Sequence, residues 1–82
     1  MYYVYILMCA DGTLYTGITV EVKRRVDEHN GSSLGAKYTR TRRPVDLVYT
    51  RGFASRSDAA KEEARIKKLS RTEKLSLAGI VS

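Results

Sequence analysis

Eight consecutive residues, Tyr2-Tyr3-Val4-Tyr5-Ile6-Leu7-Met8-Cys9, carry no charge and are dominated by aromatic and aliphatic side chains. Such a run has no polar face to leave in water, so as a strand it must be covered on both sides. In a chain of 82 residues this is a severe restriction. A chain of that size makes one domain with no room for a second core, and buries only about 60–65% of its unfolded surface. The run is therefore expected to be the central strand of a small sheet.

Asp11-Gly12 then signals a tight reversal, and Thr13 to Thr19 reads as a returning strand. Side chains alternate along a strand, so loop length decides which residues share a face. A two-residue Asp11-Gly12 loop would pair Cys9 with Leu14 and put Tyr5 and Tyr15 on opposite faces. A three-residue Ala10-Asp11-Gly12 loop, with Gly12 left-handed, pairs Cys9 with Thr13 and puts both tyrosines on one face. A site shared by the two tyrosines requires the second arrangement, which is the one expected.

Thr19 can cap a helix from Val20 to about Asn30, with Glu21 in its first turn and Gly31 as the stop. At ~100° per residue Val22 and Val26 define its buried stripe, Arg25 and His29 lie on one flank, and Lys23, Arg24, Asp27 and Glu28 point away. Gly31 to Pro44 is a long connection, of a length more often functional or mobile than idle. Val45 to Phe53 reads as a third strand with Pro44 just before it. Ser55 with Asp58 starts a helix reaching about Leu69, and Ser70 with Glu73 starts a short last helix stopped by Gly79. The fold expected is α+β: one domain over 1–82, a small three-stranded antiparallel sheet flanked by helices in the order β-β-α-β-α-α.

Fifteen Lys and Arg against nine Asp and Glu give a formal net charge of +6. That balance favours a polyanionic partner, of which nucleic acid is the commonest. Cys9 is the single cysteine, which excludes an internal disulfide and a cysteine-rich metal site and suits a small hydrophobe in an apolar strand. The apolar start is too short to span a bilayer and lacks a basic leader, so no membrane association is expected and the simplest compartment is a reducing cytoplasm.

Two tyrosine-bearing strings, Tyr3-Val4-Tyr5 and Tyr15-Thr16-Gly17, are followed eight residues after Gly17 by Arg25 and four later by His29. This order and spacing resembles the GIY-YIG nuclease family, whose strings usually read Gly-Ile-Tyr and Tyr-Ile-Gly; here Val4 and Thr16 replace the middle residues and Tyr3 the first glycine. The resemblance runs from Tyr2 to about Leu77. It is closest to the stand-alone, single-domain branch, with its run Tyr15-Thr16-Gly17-Ile18-Thr19, which is similar to the N-terminal domain of the excision-repair nuclease. It implies the same fold order and a divalent-metal-dependent endonuclease that nicks DNA, with a role in DNA repair.

Phosphodiester hydrolysis needs a base for water, a cationic clamp for the phosphate and often a divalent ion. Taken alone Arg25 is one of nine arginines; the resemblance makes it the clamp, a role its planar fork suits. His29, the one histidine, sits where many family members have a cleft histidine, and is expected to support the site by bonding a tyrosine hydroxyl or a phosphate. Tyr5 and Tyr15 match the family tyrosines, one of which helps deprotonate water. Which one the sequence leaves open; Tyr5 as base and Tyr15 as its positioner is the working assignment. An unshifted phenol near pKa ~10 is a poor base, and Arg25 with a bound cation would favour the phenolate.

One carboxylate with phosphate oxygens and waters suffices for a single Mg²⁺ or Mn²⁺ ion. Glu62 and Glu63 both project within the inner arc marked by Ala59, Ile66 and Leu69, so periodicity does not separate them. The family's metal-binding glutamate falls three residues before an Ile-Lys-Lys-Leu run, here Ile66 to Leu69, which selects Glu63. A supporting asparagine found further along in many members has no counterpart here, and Lys74 could occupy that region.

Gly17 would let a phosphate or backbone approach closely. Lys37, Tyr38, Arg40, Arg42 and Arg43 form a basic strip with an interleaved aromatic, suited to phosphates and an exposed base, and Lys67, Lys68, Arg71 and Lys74 add a second positive area. Nothing here identifies a reader of base edges. The expected partner is thus nucleic acid, DNA in preference to RNA, with a protein partner supplying targeting as a further candidate. The competing function is a non-catalytic nucleic-acid binding module that retains the nuclease fold. An adaptor for a protein partner is a third, and the +6 charge argues against it.

Overall fold

The computed structural model describes residues 1–31 and 34–79. Seven elements follow one another: β1 (Tyr2–Cys9), β2 (Leu14–Thr19), α1 (Val22–Gly31), α2 (Lys37–Arg40), β3 (Val45–Phe53), α3 (Arg56–Lys67) and α4 (Arg71–Leu77). The sheet is antiparallel in the order β2-β1-β3, so the apolar run is the central strand. Its two faces feed two separate cores. Val4 and Ile6 pack with Ala59 and Ile66 of α3, joined by Leu14, Ile18 and Val48. Tyr5, Leu7 and Cys9 pack on the other side with Val45, Tyr15 and Val26 of α1. The expected α+β class and three-stranded sheet are observed.

The hairpin takes the three-residue form. Gly12 has φ +84°, the Cys9 amide donates to the Thr13 carbonyl at 2.8 Å, and Leu7 pairs with Tyr15 and Tyr5 with Gly17. Tyr5 and Tyr15 therefore occupy one face as diagonal neighbours on adjacent strands. Both helices of the second half begin as their sequences suggest. Ser55 accepts from the Asp58 amide at 3.1 Å, and Ser70 and Glu73 form a complete capping box before α4.

Three local expectations are corrected. First, α1 starts at Val22 instead of Val20, because Thr19 Oγ1 accepts from the Glu21 amide at 3.2 Å and the turn it closes precedes the helix. Second, the connection before β3 contains α2, a four-residue helix, so the order is β-β-α-α-β-α-α. Third, the buried side of α1 centres on His29, which is fully buried, while Val22 and Val26 are only half-buried. Glu28 likewise is half-buried and does not point away, because it pairs with Arg25.

Asn30 ties the end of α1 to the start of β3. Its side-chain amide donates to the Val45 carbonyl at 3.0 Å and its oxygen accepts from the Val45 amide at 2.7 Å, as a neighbouring strand would. Asn30→Ala is expected to lower unfolding free energy by about 1–3 kcal/mol, the cost of leaving such backbone groups unpaired, as read by chemical denaturation. An unchanged midpoint would show that the latch contributes nothing.

Candidate active site

The site is built where β1, β2 and α1 meet. Gly17 lies opposite Tyr5, and the Tyr5 ring lies across it: a β-carbon on Gly17 would run into the Tyr5 hydroxyl and fall 2.6 Å from its Cζ. The absent side chain thus makes room for Tyr5 itself rather than leaving an open approach for an outside group. Tyr5 is 1% exposed, and its hydroxyl reaches His29 Nε2 at 2.9 Å. The other ring nitrogen, Nδ1, lies 2.8 Å from Thr39 Oγ1, and Thr39 is also fully buried. Tyr15 packs on both partners, its ring 5.2 Å from that of His29 and 6.4 Å from that of Tyr5.

Arg25 is one helical turn before His29, at the mouth of this cluster. Its Nη1 donates to Glu28 Oε1 at 2.9 Å and to the Leu34 carbonyl at 2.6 Å. Its charge also acts on the Tyr5 phenol, pulling the phenol's pKa down against burial. The helix projection turned Glu28 away, although its i+3 spacing from Arg25 carries the signal of this pair. Thr39 carried no comparable signal, since neither periodicity nor motif distinguishes it in the run Lys37-Tyr38-Thr39-Arg40.

Burial governs the protonation of the central pair. Loss of solvent pushes the Tyr5 phenol up to about 12, against the opposing pull of Arg25, with Tyr15 and Glu63 adding to the rise. Burial, then the charges of Arg25 and Arg43, push His29 down to about 4 despite Glu28. At neutral pH both are uncharged, a phenol facing an imidazole.

Glu62 and Glu63, inseparable by periodicity, differ in their surroundings. Glu62 is held by Arg65 through two bonds of 2.6 and 2.9 Å and lies 3.5 Å from Arg51; the Arg65 bonds hold its carboxyl below the usual range. Glu63 is half-buried, its charge is felt by Tyr5, and its partner is Lys67 at 3.2 Å. Among the described residues no group of three or more His, Cys, Asp or Glu is placed to hold a metal ion. His29 has both nitrogens engaged, so it does not serve as a ligand in this arrangement. The carboxylate whose charge still reaches the phenol is that of Glu63, a hard oxygen group that fits Mg²⁺ or Mn²⁺ when phosphate and water complete the shell.

The basic strip is partly turned inward. Arg43 Nε donates to the His29 carbonyl at 2.5 Å. Arg42 pairs with Asp11 at 3.1 Å, donates to the Tyr38 carbonyl, and has its guanidinium carbon 4.0 Å from the Tyr38 ring centre. Tyr38 in turn stacks on Tyr15, 5.9 Å between centroids and 27° between planes. Lys37 and Arg40 are exposed on α2. Lys67 sits with Glu63, whereas Lys74 lines a hollow of about 150 Å³ with Thr13, Leu14 and Arg71. Leu14 belongs to the Val4 and Ile6 side of the sheet, so Lys74 is on the side away from the tyrosines.

Gly17→Ala is expected to cost about 1–3 kcal/mol by overpacking against Tyr5, read by denaturation; equal stability would mean that the ring has free space. His29 is held below its unfolded value of 6.5 at about 4, so its contribution is full above pH 6.5 and is lost as pH falls toward 4. The wild-type protein should therefore lose more stability over that window than His29→Asn does; parallel curves would contradict the buried neutral imidazole.

A family model described as the GIY-YIG catalytic domain matches residues 1–76. The chain is 58% identical over 76 residues to a UPF0213 protein of Desulfotalea psychrophila, covering 93% of this chain and 69% of that one. It is 54% identical over 77 residues to a UPF0213 protein of Halobacterium salinarum, covering 94% and 99%. Among solved structures it resembles the UPF0213 protein BH0048 of Bacillus halodurans, with TM-score 0.61, 49% identity, and coverage of 96% of this chain and 84% of that chain. The protein EF2693 of E. faecalis gives TM-score 0.63 and 46% identity, covering 95% and 83%. The GIY-YIG family is of nuclease type, which implies a nucleic-acid substrate, and its nucleases generally use divalent metal ions. No helix among the described residues is long and apolar enough to cross a membrane. With the two tyrosine strings paired on one face and the family match spanning nearly its whole length, this chain belongs to the GIY-YIG family.

Proposed function

We propose that the protein is a metal-dependent endonuclease that hydrolyses DNA phosphodiester bonds, nicking one strand, in cytoplasmic DNA repair. The observation that carries this reading is the Tyr5 ring lying over Gly17 with its hydroxyl bonded to His29, Tyr15 packed on both rings, and the charges of Arg25 and Glu63 acting on the same phenol. Water attacks the phosphorus in line with the departing oxygen, whose bond to phosphorus breaks as the new one forms and which takes up a proton from solvent. Its proton passes to the Tyr5 oxygen as Tyr5 gives its own to His29 Nε2, 2.9 Å away. The transfer is concerted, so a phenol near pKa 12 need never stand as free phenolate. Tyr15 holds the two rings in place by packing on both. Arg25 turns its fork to the phosphate and holds the developing charge. When bound, a Mg²⁺ or Mn²⁺ ion would be held by Glu63 and supply further stabilisation of phosphate charge. The Lys67 pair is half-exposed and worth at most about 1 kcal/mol, so it gives way to a stronger ligand at little cost.

Substrate backbone is read as lying along Lys37, Arg40 and the outer edges of Arg42 and Arg43, with Lys67 beyond Glu63. Lys74 contacts nucleic acid only if the strand wraps round the edge of the sheet. A binding module without catalysis is the second reading, favoured by the high pKa of the Tyr5 phenol. It predicts DNA affinity that falls steeply with salt and no nicking under Mg²⁺ or Mn²⁺; a targeting partner would fit either reading.

The test incubates pure protein with branched, nicked and single-stranded DNA, with and without Mn²⁺, beside Arg25→Ala and Glu63→Ala. Each variant is expected to lose about 10²–10³-fold in rate while folding normally, and a chelator is expected to abolish nicking. Unchanged rates in both variants would rule the mechanism out.

A further inference from the structure

Thr39 is fully buried, belongs to neither tyrosine string, and stands ten residues after His29 with its hydroxyl 2.8 Å from Nδ1. The direction of the hydrogen bonds around it is fixed by a shortage of acceptors. The Tyr5 hydroxyl hydrogen is buried and needs an acceptor, and His29 Nε2 at 2.9 Å provides one. A neutral imidazole that accepts at Nε2 carries its own hydrogen on Nδ1. That hydrogen points to Thr39 Oγ1, whose hydroxyl donates onward to the Ala36 carbonyl at 2.9 Å. One contact opposes this order: the Ala36 amide approaches Nδ1 at 3.4 Å. It is longer than an ordinary N–H hydrogen bond, and it would leave the Tyr5 hydrogen without an acceptor.

We propose that Thr39 is a positioning residue that fixes His29 as the Nδ1–H tautomer and thereby keeps Nε2 open to the Tyr5 proton. The proposal rests on the reading of Tyr5 and His29 as the proton path. When Nε2 takes that proton the imidazolium has a hydrogen on both nitrogens, and Thr39 Oγ1 accepts from Nδ1 in both states without rearranging. The other groups facing the ring do not duplicate this: Tyr15 offers its ring, and Arg25, Glu28 and Arg43 act on it through charge. Without the Thr39 hydroxyl, the Ala36 amide is the polar group left beside Nδ1, and it favours a lone pair there. The ring should then carry its hydrogen on Nε2 and cease to accept from Tyr5.

Nitrogen NMR of the ¹⁵N-labelled His29 ring in the intact protein at neutral pH reads the tautomer directly. Wild type is expected to show Nδ1–H, Thr39→Val the Nε2–H form, and Thr39→Ser the wild-type form. Single-turnover nicking should fall about 10–100-fold in Thr39→Val, the size of loss that follows removal of the hydrogen-bonding partner of a metal-ligating histidine, and recover in Thr39→Ser. An Nε2–H ring in wild type overturns the proposal without any variant, as does an unchanged tautomer in a folded Thr39→Val. If the tautomers behave as stated but wild type cuts no DNA, the positioning role of Thr39 stands and the nuclease reading fails.

Discussion

The hydrogen bond between the Tyr5 hydroxyl and His29 Nε2, 2.9 Å long and wholly buried, is the constraint on which the rest of the site depends. Two polar groups have been taken out of water, and each would cost about 1–3 kcal/mol if left unpaired. Their pairing fixes the distance of α1 from the sheet and the rotation of its buried face. It also requires Tyr5 to lie flat across β2, which only a residue without a side chain at position 17 permits. Packing and prospective chemistry are therefore the same contact seen from two sides.

Electrostatics sharpen the arrangement. A chain of net charge +6 surrounds the pair with Arg25 and Arg43, which together with burial keep the imidazole neutral. A neutral imidazole can accept a proton; one already charged cannot. The same guanidinium of Arg25 favours the phenolate state of Tyr5, so it eases loss of the phenolic proton, and in the proposed mechanism it also holds the phosphate. Arg42 and Arg43 fasten the segment around α2 over the rings, by Asp11 and by the His29 carbonyl. Part of the basic strip thus holds the site together, and Tyr38 extends the aromatic stack from Tyr15 to the surface instead of standing free.

Much of this was legible in residue order. The two-sided apolar run fixed β1 as central, and the demand that Tyr5 and Tyr15 share a face selected the hairpin length that the register bears out. Capping residues Ser55 and Ser70 marked their helices because the bonds they make are local. The parts that were not legible depend on contacts between distant segments. His29 lies on the flank of a helical projection, yet Tyr5 and Thr39 close over it from two other elements. Helix α2 lacks a side-chain cap and spans a single turn, too short for periodicity. Glu62 and Glu63 share an arc on the helix, and only Arg51 on β3 and Arg65 draw Glu62 away.

The central claim is that Tyr5 and His29 act as one proton-carrying unit. A double-mutant cycle of Tyr5→Phe and His29→Asn on single-turnover DNA nicking under Mn²⁺ measures this most directly. Joint action predicts that each single change slows nicking severely and that the double variant is scarcely slower than either. Full multiplication of the two losses, or a Tyr5→Phe enzyme that nicks at the wild-type rate, would contradict it.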